Sequence, residues 1–376
     1  MNSLKNKIKL IIFSILPTIF IFGMAEFSVR FFSLDQPSLI AGGSGIGPNS
    51  IVQTDIDLGW ALKPNKRIGD KNTVTTNSLG LRSPEIFPEK KNEFRILSLG
   101  ESTTFGIGVS DSETYSAKLQ EILNKKNITS NKVTVINAGI SAYSSFQSLK
   151  YLELKGIKLK PDLILFYNEL NDYLPTNVRD INLNEVGILK TDKQLYDSRL
   201  VKFNRALNQK SAFYRFISYN FAKYKINKMN QKDIENPILN IGMPDSHVSY
   251  RIYKHTKQGI KIDSKLNPMS FGRRVSENER IENLSRLFSL CNKKNIRLII
   301  IHPSYSLSTL HECVLTQFCR KNNVLMFEAY HSLHPENLPT DVIFLDLWHP
   351  TPLGHECLAV NLAQFIHDNI FSNEAQ

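Results

Sequence analysis

Leu99-Gly100-Glu101-Ser102 follows the apolar run Phe94-Arg95-Ile96-Leu97-Ser98, and near the C-terminus Asp346-Leu347-Trp348-His349 sets a carboxylate and an imidazole three residues apart. The first segment reads as a buried strand ending in a glycine turn that presents a serine. A serine becomes a nucleophile when a base takes its proton, and that base needs an acid to orient it. Ser102, His349 and Asp346 could supply the three parts. Each has a plainer reading alone: Ser102 as a turn residue or cap, His349 as a core or surface histidine. His355 is the competing base, but the Asp-x-x-His spacing favours His349 and leaves His355 to support the turn. His302, ending another apolar run, is a candidate for lining the same pocket. A metal centre from Asp346, His349 and His355 lacks a fourth ligand, so no metal is expected.

Apolar runs at 94–99, 132–137, 162–167, 297–302 and 324–328 alternate with helical spacing over 115–123, 144–155, 276–294, 307–322 and 353–369. Asp111 or Ser112 can cap the first of these helices. Continuous rather than alternating hydrophobicity in the strands indicates burial on both faces, hence a parallel sheet between two helix layers. In such sheets functional residues lie beyond the carboxyl ends of the strands, where Ser102, Gly139, Asn171 and His302 fall.

The stretch 176–275 breaks the alternation. It holds 19 Lys and Arg against 8 Asp and Glu, which accounts for the whole formal charge of +11. It comes after a strand's carboxyl end, so a lid over the site and a solvated helical excursion both remain open. Four cysteines (Cys291, Cys313, Cys319, Cys357) show no Cys-x-x-Cys spacing, which argues against zinc and thioredoxin-like chemistry and leaves buried thiols or one disulfide. At the N-terminus Lys5, Lys7 and Lys9 precede sixteen uncharged, mostly apolar residues, Leu10 to Ala25. That is a little short of the ~20 wanted for a comfortable span. Phe27, Val29, Phe31 and Phe32 extend it. An uncleaved membrane anchor is the favoured reading, with a signal peptide cut near Ala25 as the alternative. The lysines place that end in the cytoplasm and the remainder outside. Export argues against nucleic acid as partner of the basic stretch; anionic headgroups or acidic glycans suit it better.

Asn137-Ala138-Gly139 ends the second strand and Tyr167-Asn168-Glu169-Leu170-Asn171-Asp172 the third. With these blocks the chain resembles the SGNH, or GDSL-like, hydrolases, named for Ser, Gly, Asn and His in four separated blocks. The resemblance runs from about Leu58 to Phe371, and the lead-in Leu58-Gly59-Trp60 and Asn77-Ser78-Leu79-Gly80-Leu81-Arg82 is similar to that of membrane-anchored bacterial members. It implies a flavodoxin-like three-layer α/β sandwich, with a signal anchor over 1–32, a linker over 33–56 and the hydrolase domain over 57–376. It also implies Ser102 as nucleophile, Asp346 and His349 as acid and base, and the Ser102 and Gly139 N–H groups plus the Asn171 amide as oxyanion donors, without a cofactor. Two positions depart from the family pattern: Glu101 stands for Asp, and Glu169 for the Gly common before Asn-Asp. Registering the block on Asn168 would put the amide too early on the strand. The implied substrates are carboxyl esters, acyl or acetyl groups on glycans or lipids. Acyl transfer to a sugar hydroxyl, or a non-catalytic envelope protein on the same fold, are the other readings.

Overall fold

The computed structural model describes residues 2–34, 50–70, 72–87, 89–125, 131–173, 190–233, 243–244, 250–251, 253–256, 259–262, 273–306, 308, 310 and 312–372. The glycine-rich segment 42–48 and much of the basic stretch, including 176–189 and 263–272, lie outside them.

A two-stranded hairpin, β1 (Val52–Asp55) and β2 (Gly59–Leu62), comes first. Its first strand falls within the stretch expected as a linker over 33–56, of which residues 50–56 are described here as bend, strand and turn. Strands this short carry too little periodicity to be read in sequence. The main sheet holds β3 (Glu93–Gly100), β4 (Lys132–Gly139), β5 (Leu163–Tyr167), β6 (Arg297–His302) and β7 (Leu325–Glu328). All its pairings are parallel, in the order β7-β6-β5-β3-β4. Numbered from β3, that is the 2-1-3-4-5 order of a doubly wound, flavodoxin-like fold, as expected.

Alternate side chains of the sheet feed two cores. Ile96, Leu163, Leu165, Ile299 and Ile301 pack with Tyr115, Leu119, Leu358 and Leu362, which belong to α3 (Tyr115–Lys125) and the C-terminal helix Pro352–Ile366. Leu97, Ile164, Phe166 and Ile300 pack with Leu149, Leu287 and Leu315, from α4 (Ser145–Leu154), α9 (Glu277–Lys294) and α10 (Val314–Asn322). The helices start where capping boxes dictate: Ser144 with Gln147, and Ser276 with Glu279. Ahead of α3, the Ser110–Glu113 box caps a short 3-10 turn (Asp111–Glu113), and α3 itself is capped by Thr114, whose Oγ1 accepts the Ala117 N–H at 3.3 Å, in place of the expected Asp111 or Ser112 cap. The helix expected over 307–322 begins only at Val314, because Cys313 is extended and its N–H donates to Thr316 Oγ1 at 2.8 Å.

Two further elements flank the sandwich. Helix α1 (Asn2–Phe31) carries an apolar stretch, Phe13–Phe31, long enough to cross a membrane. From the basic stretch come α6 (Asp192–Tyr196), α7 (Arg199–Lys210) and α8 (Ala212–Asp233). These described helices are not a detached excursion: α7 packs on β1 and α8 on α1. Glu26 of α1 accepts hydrogen bonds from Ser211 Oγ (2.7 Å), Ala212 N (2.8 Å) and Phe213 N (2.9 Å), supplying an N-cap from another segment. Arg30 donates to the Lys210 carbonyl at 3.1 Å, closing the end of α7.

Candidate active site

Ser102 is placed by backbone. It opens α2 (Ser102–Phe105), two residues beyond the end of β3. A Cβ at Gly100 would lie 2.0 Å from Thr104 Oγ1 and 2.7 Å from the Tyr167 carbonyl oxygen, so only glycine lets α2 fold back across the strand ends. Buried Arg82 holds the turn after α2: Nη1 donates to the carbonyls of Phe105 (2.8 Å) and Gly106 (2.6 Å), and Nη2 to that of Val109 (2.6 Å).

His349 is placed by a tight loop. Leu345 N–H donates to the His349 carbonyl at 2.7 Å and Thr351 N–H to that of Ile343 at 2.8 Å. Within the loop Asp346 Oδ1 accepts from the Trp348 and His349 N–H groups, each at 2.8 Å. Aspartate is suited to such a turn because its side chain reaches the backbone two residues on. Its other oxygen, Oδ2, lies 2.7 Å from His349 Nδ1, and His349 Nε2 lies 3.0 Å from Ser102 Oγ. The chain of contacts assigns the proton to Nδ1 and leaves Nε2 as acceptor of the serine hydroxyl. Partial burial works against the Asp346 charge, but the His349 ring and the two backbone donors hold its carboxyl below the usual range.

Asn171, on the short helix α5 (Leu170–Tyr173) beyond β5, is tied to the residue before the serine. Its Nδ2 donates to Glu101 Oε2 at 2.6 Å and its backbone N–H reaches the same oxygen at 3.2 Å. An amide nitrogen carries two hydrogens, so one remains for another acceptor. Tyr305 OH donates to Glu101 Oε1 at 3.1 Å and accepts from Leu170 N–H at 3.1 Å. Burial, opposed by these donors, pushes the Glu101 carboxyl up to about 7.

Gly139 requires a correction. Its N–H donates to Asn137 Oδ1 at 2.9 Å instead of facing an oxyanion. The glycine serves packing: a Cβ there would stand 2.3 Å from Phe105 N and 2.5 Å from the Thr104 carbonyl carbon. The turn after β4 contains Ala142 at φ 62°, a left-handed conformation unusual for alanine, with its carbonyl accepting from Arg274 Nη1 at 2.9 Å. Nothing in the sequence marks that residue.

The other histidines separate from the serine. His355 is fully buried, and its Nδ1 accepts the Tyr115 N–H at 3.2 Å. Burial, with Arg82 and His349 adding repulsion, drives its pKa down to about 3, so it is a neutral support. His302 turns to Glu328 and Cys313. Glu169 bonds Arg280, with Nη2 at 3.3 Å from Oε1. All four cysteines are free thiols, so no disulfide forms.

No family model matches the sequence, and neither does any curated protein. Among solved structures, the chain is similar to a protein assigned to the G-D-S-L lipolytic family from Desulfitobacterium hafniense (9% identity, 72% of this chain, 98% of that one, TM-score 0.38). It is also similar to the psychrotrophic esterase EstA from Pseudoalteromonas sp. (12% identity, 74% and 98%, TM-score 0.40). A third is an acetylxylan esterase from Geobacillus stearothermophilus (14% identity, 74% and 96%, TM-score 0.41). What the side chains themselves form is a continuous Asp346–His349–Ser102 chain of contacts at 2.7 and 3.0 Å at the carboxyl ends of a doubly wound parallel sheet.

Proposed function

We propose that the chain is a serine ester hydrolase of the SGNH type, with Ser102 as nucleophile, His349 as base and Asp346 as its orienting acid. The supporting observation is the unbroken Asp346–His349–Ser102 relay at 2.7 and 3.0 Å. His349 Nε2 takes the hydroxyl proton as Ser102 Oγ bonds to the acyl carbon. The C–O bond to the leaving alcohol then breaks as the imidazolium returns that proton. Water, deprotonated by the same imidazole, releases the acid from the acyl-enzyme. Negative charge on the tetrahedral oxygen is met by the Ser102 N–H and the second hydrogen of Asn171 Nδ2, each such donor being worth ~2.7–4 kcal/mol.

The substrate is assigned to acyl or acetyl esters of envelope glycans or lipids, with α1 as a single membrane anchor and the catalytic domain outside the cytoplasm. The long apolar α1 supports the anchor, and its three N-terminal lysines support the orientation. The test is a fluorophosphonate probe read by mass spectrometry. A single adduct on Ser102, abolished in His349→Ala, is expected; an unlabelled or elsewhere-labelled folded protein would overturn the assignment.

A further inference from the structure

Behind Asn171 lies a cluster that the ester chemistry does not use. Glu169 is in the loop after β5, His302 ends β6, and Cys313 is the residue from which α10 starts. One ligand atom from each lies within 4.8 Å of the others, and all three residues are buried. His302 Nε2 stands 3.5 Å from Cys313 Sγ. Zinc binds imidazole nitrogen at ~2.0–2.1 Å and thiolate sulfur at ~2.3 Å in a tetrahedron, which makes the nitrogen–sulfur edge about 3.5 Å.

We propose that Glu169, His302 and Cys313 form a zinc site, with water in the fourth position. The other ring nitrogen supplies an independent mark. His302 Nδ1 is 2.6 Å from Glu328 Oε2, the carboxylate partner that orients metal-bound histidines and leaves Nε2 to the ion. Arg280, bonded to Glu169, holds that carboxylate in place beside the site. On binding, the Cys313 thiol gives up its proton to solvent as the Zn–S bond forms.

The site has a mechanical role. Glu169 is two residues before Asn171, so the ion would staple the loop carrying the oxyanion amide to the end of β6 and the start of α10.

The full chain, purified in detergent, stripped with chelator and dialysed against zinc, should retain about one zinc per chain. His302→Gln and Cys313→Ser should each lower retention at least tenfold, while Cys357→Ser keeps it. Cobalt(II) in the wild type should show a thiolate-to-cobalt charge-transfer band. That measurement needs no variant to fold, and the band should be absent in Cys313→Ser. A wild type that retains no zinc, lacks the cobalt band, or keeps both metals after loss of Cys313 would overturn the site. None of these readouts depends on ester turnover.

Discussion

Arg274 Nη2 lies 2.8 Å from Asp192 Oδ2, an ion pair with both side chains almost wholly buried that joins two points of the basic stretch 82 residues apart. Arg274 Nη2 also donates to Gln147 Oε1 at 2.8 Å, and Ser144 Oγ to Asp192 Oδ2 at 2.7 Å. The pair thereby fixes the root of the stretch to the start of α4. Removing one partner strands a buried charge, which costs about 3–5 kcal/mol, whereas replacing both with apolar residues of similar volume is far milder. Asp192→Ala should lower the urea midpoint sharply, and Asp192→Leu with Arg274→Met should recover most of it. Equal loss in both variants would show that the pair is not the determining contact.

The relay predicts non-additive kinetics. Ser102→Ala and His349→Ala should each bring turnover of a small soluble ester to near background, and the double variant should be no worse, because both stop the same step. Asp346→Asn should cost less, since the imidazole remains but loses its orientation. Asn171→Ala should lower kcat by roughly 10²–10³-fold. Full activity in folded Ser102→Ala would refute the nucleophile.

Glu101 makes stability fall as pH rises. Its folded pKa of about 7 exceeds the ordinary value of 4.5, so the folded state binds its proton more tightly than the unfolded one. Stability is therefore full below about 4.5 and declines toward 7, by a few kcal/mol in all. Chemical unfolding across this range should show the decline in the wild type and a flatter profile in Glu101→Gln. Parallel profiles would place the titration elsewhere.

His355 acts in the opposite sense. With a folded pKa of about 3 against 6.5 unfolded, it must stay neutral in the core. Its contribution is complete above 6.5 and lost as pH falls toward 3. His355→Gln should unfold less readily in acid relative to its own neutral-pH stability, while retaining the fluorophosphonate reaction at Ser102. An inactive His355→Gln that remained folded would make His355 part of the reaction.

Gly139→Ala tests packing against hydrogen bonding. The added methyl meets the α2 backbone at 2.3 Å, so α2 must shift and take Ser102 with it. Turnover should collapse although the Gly139 N–H keeps its Asn137 acceptor; unchanged turnover would contradict the close approach.

Local features are legible in the sequence. Asp346 and His349 sit three residues apart because one turn holds both, and Ser102 comes after an apolar strand that any parallel sheet would bury. Asn171 is legible by its place after β5. Gly139 misleads because a glycine at a strand end looks the same whether it frees an N–H or makes room for a neighbouring helix. Contacts between distant residues leave no pattern at all: Asp192 with Arg274, Glu101 with Asn171, and Glu26 with the start of α8. The β1–β2 hairpin is hidden by its brevity, and Ala142 by a backbone angle that its residue type does not announce.

The grip of Glu26 and Arg30 on the elbow between α7 and α8 bears on reach. A catalytic domain on a slack tether can swing through a wide volume and meet esters at many distances. Here the last turns of the apolar helix are bolted to the domain by four hydrogen bonds at 2.7–3.1 Å. Under the proposed anchoring, with that helix seated in a bilayer, Ser102 would work at one height and tilt above the lipid, and substrates would be sorted by where their ester stands before the pocket meets its chemistry.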